Sequence, residues 1–214
     1  MTFNLIQHSL WAKALRNATV RITVNLPKQL DLIKSLDYVA TKGLITFKVY
    51  PKETGFEIVS PEPGLVAVKG FEDDIEYKIY SDGSGSIITM FIYLNKKVAI
   101  ARYLAELVEF LAAGGVKEGE LLSLEASATL YVDQSLPTLY TSEKEYLGKV
   151  KVRGVTMFIE GGLVALMPIN DGTERTLITI ALKGKWAETK RKVLVLDSLA
   201  EEALEVVKEW SSQI

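Results

Sequence analysis

The chain of 214 residues contains no cysteine. That excludes disulfides, thiol nucleophiles, iron–sulfur clusters and cysteine-ligated zinc. Histidine is almost missing as well. His8 stands alone, with no base or metal ligand at useful spacing in its segment, and reads as a surface residue of an N-terminal helix. No apolar run approaches the ~18 residues that suggest a membrane span; the closest is SIITMFIYL, Ser86 to Leu94. Charge of one sign is also lacking. Lys and Arg total 25 against 27 Asp and Glu, a net −2, so there is no electrostatic case for nucleic acid or an anionic membrane. The opening MTFNLIQHSLWAKALRN has no basic leader followed by a long apolar run. A cytoplasmic protein without a membrane segment is therefore expected. Scarce Gln and Asn beside ample Lys and Glu are compatible with a thermophilic source.

What is present is ordinary for a globular protein: 48% apolar and 24% charged residues. Residues 1–17 read as a short amphipathic helix, with Phe3, Ile6, Leu10 and Ala14 on one stripe. Thr19 to Val24 alternates as a strand, Val20, Ile22 and Val24 on one face and Thr19, Arg21 and Thr23 on the other. A helix is predicted over residues 27–42, with Asn25 as cap, Pro27 in the first turn and Gly43 as stop. Strands follow around Ile45–Tyr50, GFEIVS, GLVAV and Ile75–Tyr80, with turns at KETG and PEPG. SDGSGS, Ser81 to Ser86, reads as a hairpin rather than a phosphate loop, because a strand follows it and not a helix. Ser86 to Leu94 is apolar on both faces, as expected of a strand covered on both sides. Ile100, Leu104, Leu107, Val108 and Leu111 then mark an amphipathic helix ended by Gly114-Gly115.

The second half predicts strands at TLYV, KVKVRG, TMFIEG, GLVAL, RTLITIALKG and Val193–Leu196. A closing helix carries Leu199, Ala203, Val206, Val207 and Trp210. GLVAV at Gly64 and GLVAL at Gly162 each precede the helical segment by the same interval. The expected architecture is therefore α+β. Two related antiparallel-sheet-plus-helix units stand in tandem, residues 18–115 and 116–214, after the helix of residues 1–17. The segment LPTLYTSEKEYLG lacks a helix to match residues 27–42, so the two units would be unequal.

The entry VRITVNLPKQLDLIKSLDYV resembles the start of helix-grip, START-like proteins: a strand, a Pro-containing turn, then a helix. The resemblance covers about residues 18–114 and more loosely 122–214. It implies a curved antiparallel sheet around a C-terminal helix, with a hydrophobic-ligand cavity between them. The tandem order is also similar to the saddle of the TATA-box-binding-protein fold, which would imply a partner laid across the sheet. No catalytic residue carries over from either.

Within the helix-grip resemblance, Phe47, Tyr77, Phe91, Tyr93, Leu104 and Leu107 are the expected ligand-binding residues. The same residue types are what a plain core uses. Two other clusters carry bland readings. Glu72-Asp73-Asp74 with Glu76 lacks calcium-loop spacing and reads as a solvated turn. Lys183, Lys185, Trp186, Lys190, Arg191 and Lys192 form the basic cluster and read as an exposed hairpin protecting a sheet edge, not a nucleic-acid platform. The expected function is non-catalytic binding of a hydrophobic small molecule, without cofactor or metal. The alternative is a structural or interaction protein, forming a homodimer or engaging a protein or nucleic-acid partner through its sheet. Nothing orients an acid or base for catalysis.

Overall fold

Alternation in Ala18–Asn25 sets the centre of the molecule. Val20, Ile22 and Val24 are fully buried, while Arg21 points the opposite way. This strand, β1, pairs antiparallel with two others and so sits inside a sheet. A computed structural model of the chain describes residues 18–43, 48–52, 55–59, 63–71, 74–94, 100–133, 135–136, 139–140, 151–152, 154–169 and 175–212. The expected N-terminal helix with His8, the site residue Phe47 and the acidic pair Glu72-Asp73 lie outside the described residues.

The remaining strands are β2 (Lys48–Lys52), β3 (Gly55–Val59), β4 (Leu65–Phe71), β5 (Asp74–Ser81), β6 (Ile87–Leu94), β7 (Ser123–Val132), β8 (Leu139–Tyr140), β9 (Lys151–Val152), β10 (Val155–Ile159), β11 (Gly162–Pro168) and β12 (Thr176–Lys185). Four helices join them among the described residues: α1 (Leu32–Thr41), α2 (Ile100–Ala113), α3 (Trp186–Val193) and α4 (Leu196–Ser212). The protein is α+β. Its main element is one antiparallel sheet of eight strands in the order β10-β11-β12-β7-β1-β6-β5-β4, and β2-β3 and β8-β9 form two small hairpins.

The two halves of the chain thus share a single sheet, joined where β1 pairs with β7 from Thr19↔Thr129 to Asn25↔Ser123. Outward from that seam the order is β6, β5, β4 on one side and β12, β11, β10 on the other. The repeated GLVA phrase does not follow this pattern. Its first copy starts edge strand β4, and its second opens β11, one strand in from the opposite edge.

One face of the sheet is covered by helices. Helix α2 presents Tyr103, Leu104, Leu107, Phe110 and Leu111, all nearly or fully buried. Tyr103 meets Tyr77 of β5 edge-on, ring centroids 5.8 Å apart. Over the other half, α3 and α4 contribute Trp186, Val193, Leu196, Ala200, Leu204 and Val207. All these residues belong to one continuous core. The α4 stripe is rotated from the expected one: Ala203 and Val207 are buried, but Trp210 is exposed.

Helix α2 ends in a Schellman motif. The Val116 N–H reaches Leu111 O at 2.9 Å and the Gly115 N–H reaches Ala112 O at 3.0 Å, with Gly115 at φ +89°. The buried Val116 and Leu111 supply the apolar contact that accompanies such an end.

Four expectations change here. The first helix starts at Leu32, capped by the Asp31 carboxylate on the Lys34 N–H, rather than near Pro27. Residues 26–30 are instead tied to the β5–β6 turn, Leu26 N–H to Ser86 O at 2.8 Å and Leu30 N–H to Gly85 O at 3.0 Å. Its core side carries Ser35 and Val39, and Ile33 is 73% exposed. Among the described residues strand β6 is covered on one face only, and Ile87 and Tyr93 stand exposed on the other. Finally, the basic stretch after β12 is helix α3 and not a hairpin, and Val193–Leu196 joins two helices instead of forming a strand. Glu188 in the first turn of α3 and Lys190, Arg191 and Lys192 in the last complement the helix dipole.

Gly114 lets α1 meet the end of α2. The Asp31 N–H bonds Gly114 O at 3.0 Å, and a Cβ at Gly114 would fall inside van der Waals contact with Leu30 and Ser35. Both neighbours are buried, and Ser35 Oγ already donates to Phe110 O. Gly114→Ala is expected to cost about 1–3 kcal/mol by overpacking, read as a lower urea midpoint at unchanged m-value.

Candidate functional site

The face of the sheet that no described helix covers is the candidate site. Strand registers place its side chains in rows. One row runs Thr156, Ala165, Thr179, Thr129, Thr19 and Tyr93. The next runs Phe158, Leu163, Ala181, Ser127, Arg21 and Phe91. A third joins Lys183, Glu125, Thr23 and Thr89. The middle of the face is thus floored by small and hydroxyl side chains. Larger apolar groups stand toward its ends: Phe158, 84% exposed, with Met167, Tyr131, Tyr93 and Ile87.

Arg21 sits in the middle. Its guanidinium lies over the Phe91 ring, 5.8 Å from the centroid, and Tyr80 holds that ring edge-on at 5.6 Å. No carboxylate among the described residues pairs with Arg21. The nearby Glu125 is engaged by Lys183 at 2.5 Å. Thr23 and Thr89 hydroxyls meet at 3.2 Å. A shallow groove of about 550 Å³ opens here across β1, β7, β12 and β11, between Arg21 and the Gly161-Gly162 turn. Gly161 adopts φ +70°, and a Cβ on Gly162 would collide with the Ala181 carbonyl oxygen. Two glycines therefore let the β10–β11 turn lie close against β12.

The expected ligand residues divide between the two faces. Tyr77, Leu104 and Leu107 are 0–1% exposed within the helix-covered core. Burial first, and then the nearby Glu106 carboxylate, push the Tyr77 phenol well above its ordinary range. Phe91 and Tyr93 lie on the open face, so these five residues do not line one space. Arg21 was visible only as one member of the polar side of a strand. The available signal was a lone arginine among threonines on a strand whose other side is wholly apolar.

The basic cluster is not a stacking platform. Trp186 is buried at the start of α3, and its Nε1–H donates to Glu118 at 3.0 Å. Lys190 donates to the same carboxylate at 2.5 Å and lies over the indole. These bonds, Lys190 first and Trp186 second, hold the Glu118 carboxyl below its ordinary pKa. A carboxyl with a lowered folded pKa contributes stability that is complete above its unfolded value, about 4.3, and is lost as pH falls through the folded value. The Trp186 indole N–H resonance is expected to shift with a midpoint below the ordinary glutamate range and to stop titrating in Glu118→Gln. A midpoint at or above that range would contradict the geometry. Among the described residues, no group of three His, Asp or Glu could hold a metal, and no helix is long and apolar enough to cross a membrane.

The sequence matches no protein-family model and no curated protein.

Proposed function

We propose that this is a non-catalytic interaction protein whose open sheet face packs against a second copy of the chain. The observation that carries this reading is the face that no described helix covers, with Phe158, Met167, Tyr131, Tyr93 and Ile87 exposed along it. Eight strands at about 4.8 Å spacing, each roughly 25 Å long, give a footprint on the order of 900 Å², close to the ~800 Å² per partner of a stable interface. Two such faces pack as the inner layers of a sandwich do, about 10 Å apart. Small Thr, Ser and Ala side chains in the middle permit that approach. The registers also place Arg21, Lys78, Lys183 and Lys185 on this face beside Glu125, with Lys183 paired to Glu125; an affinity for single-stranded nucleic acid that falls steeply with salt would favour a polyanion instead.

The mirrored strand order about the β1–β7 seam supports an internal duplication of an α+β unit. It also supports the saddle-like reading, with one covered and one open face, over a pair of separate helix-grip sheets. The off-register GLVA phrases speak against those words as the trace of the duplication. An interior ligand site is less well supported, because Tyr77, Leu104 and Leu107 are packed shut and the 550 Å³ groove lies on the opposite face.

Sedimentation equilibrium over a concentration series tests the proposal. A species of twice the chain mass of 23.7 kDa, dissociating on dilution, supports it. A monomer throughout, up to about 100 μM, overturns it, since a Kd weaker than that corresponds to less than ~5.5 kcal/mol.

A further inference from the structure

The groove beside Arg21 has features that self-association does not require. Its floor is apolar at one end, where Leu163 and Ala181 stand side by side. At the other end is the Arg21 guanidinium, 5.8 Å from the centroid of the Phe91 ring, whose N–H donors make no bond to any described residue. A cation–π contact is not a hydrogen bond and leaves the five guanidinium N–H donors to be satisfied otherwise. Ser127, opposite Arg21 on the neighbouring strand, adds a hydroxyl donor. The one carboxylate in the groove, Glu125, is held by Lys183, so it does not neutralise Arg21. A volume of about 550 Å³ is within the ordinary range for small-molecule sites.

We infer that this groove binds a small amphipathic anion, a carboxylate or phosphate head on Arg21 with an apolar body lying toward Leu163 and Ala181. Arginine suits such heads because its planar fork matches two oxygens at once. The inference concerns the same face as the proposed dimer but does not need the second copy. It is therefore tested on dilute protein, below the concentration at which a dimer sediments, where a failure of dimerisation and a failure of binding are read separately.

The experiment follows backbone amide shifts of Thr23, Ser127, Gly162 and Ala181 during titration with four probes: hexanoate, hexyl phosphate, inorganic phosphate and hexanol. Hexanoate or hexyl phosphate is expected to shift these amides saturably, at concentrations at least tenfold below inorganic phosphate and hexanol, each of which lacks one half of the ligand. Which of the two amphiphiles binds tighter identifies the head group. Arg21→Gln is expected to weaken the better probe at least tenfold, and Arg21→Lys to restore part of it. Arg21 is exposed on a strand, so both variants keep the fold, which the unchanged remainder of the spectrum verifies. Equal binding of all four probes, shifts elsewhere in the protein only, or full affinity in Arg21→Gln would each overturn the inference.

Discussion

Leu107→Ala is expected to destabilise the protein by about 2–5 kcal/mol, a large part of the ~5–15 kcal/mol that holds a typical domain. Leu107 is fully buried. It lies in the middle of α2, on the stripe that also holds Tyr103, Leu104, Phe110 and Leu111. Truncation removes its transfer free energy and leaves a cavity, which strands and a helix fixed on both sides cannot readily close. The urea midpoint falls while the m-value stays unchanged. Ile33→Ala on the exposed side of α1, where 73% of the residue faces solvent, is expected to change stability by no more than about 0.5 kcal/mol. A loss below ~1 kcal/mol at Leu107 would mean that the space between sheet and helices is loosely filled. That result would return the interior ligand site to first place.

Phe158→Asp is expected to weaken self-association at least 100-fold, or about 2.7 kcal/mol. Phe158 is 84% exposed, yet its register partner Leu163 places it on the open face. In a dimer its ring leaves water against the partner, and aromatic side chains carry a large share of interface energy. An aspartate there would bury a carboxylate without a designated partner. The monomer itself is expected to keep its thermal midpoint, because the ring contributes little to the core. Trp210→Asp supplies the comparison. It removes another exposed aromatic, 43% accessible but carried on helix α4, and is expected to leave association unchanged. Equal loss in both variants would move the interface to the helices, and no loss in either would remove it.

Much of the layered plan is legible in the residues. Strict alternation in β1, and the 3.6-residue spacing in α2, each mark one apolar side, and that side is where the core lies. Helix α3 is harder to see. It has eight residues, five of them charged or polar, directly after a strand. Its only apolar signal is Trp186 and Val193, seven residues apart, with Thr189 between them on the same face. Strand β6 misleads for a related reason. Two apolar sides suggest cover on both, but alternation cannot tell a covered face from one awaiting a partner. Whether the halves form one sheet or two depends on β1 pairing with β7, residues from Asn25↔Ser123 to Thr19↔Thr129 that lie far apart in sequence. No local pattern encodes it. The groove is hidden for the same reason, since Arg21, Ser127, Ala181 and Leu163 become neighbours only through three strand registers.

Hydroxyl-radical footprinting across a dilution series tests most directly whether the open face is the working surface. Phe158, Met167, Tyr131 and Tyr93 report on that face, and Trp210, Leu194 and Ile33 on the helical side. The expected result is rising protection of the first group with concentration and constant labelling of the second. Protection confined to the helical group, or none in either group at concentrations where a dimer sediments, would contradict it.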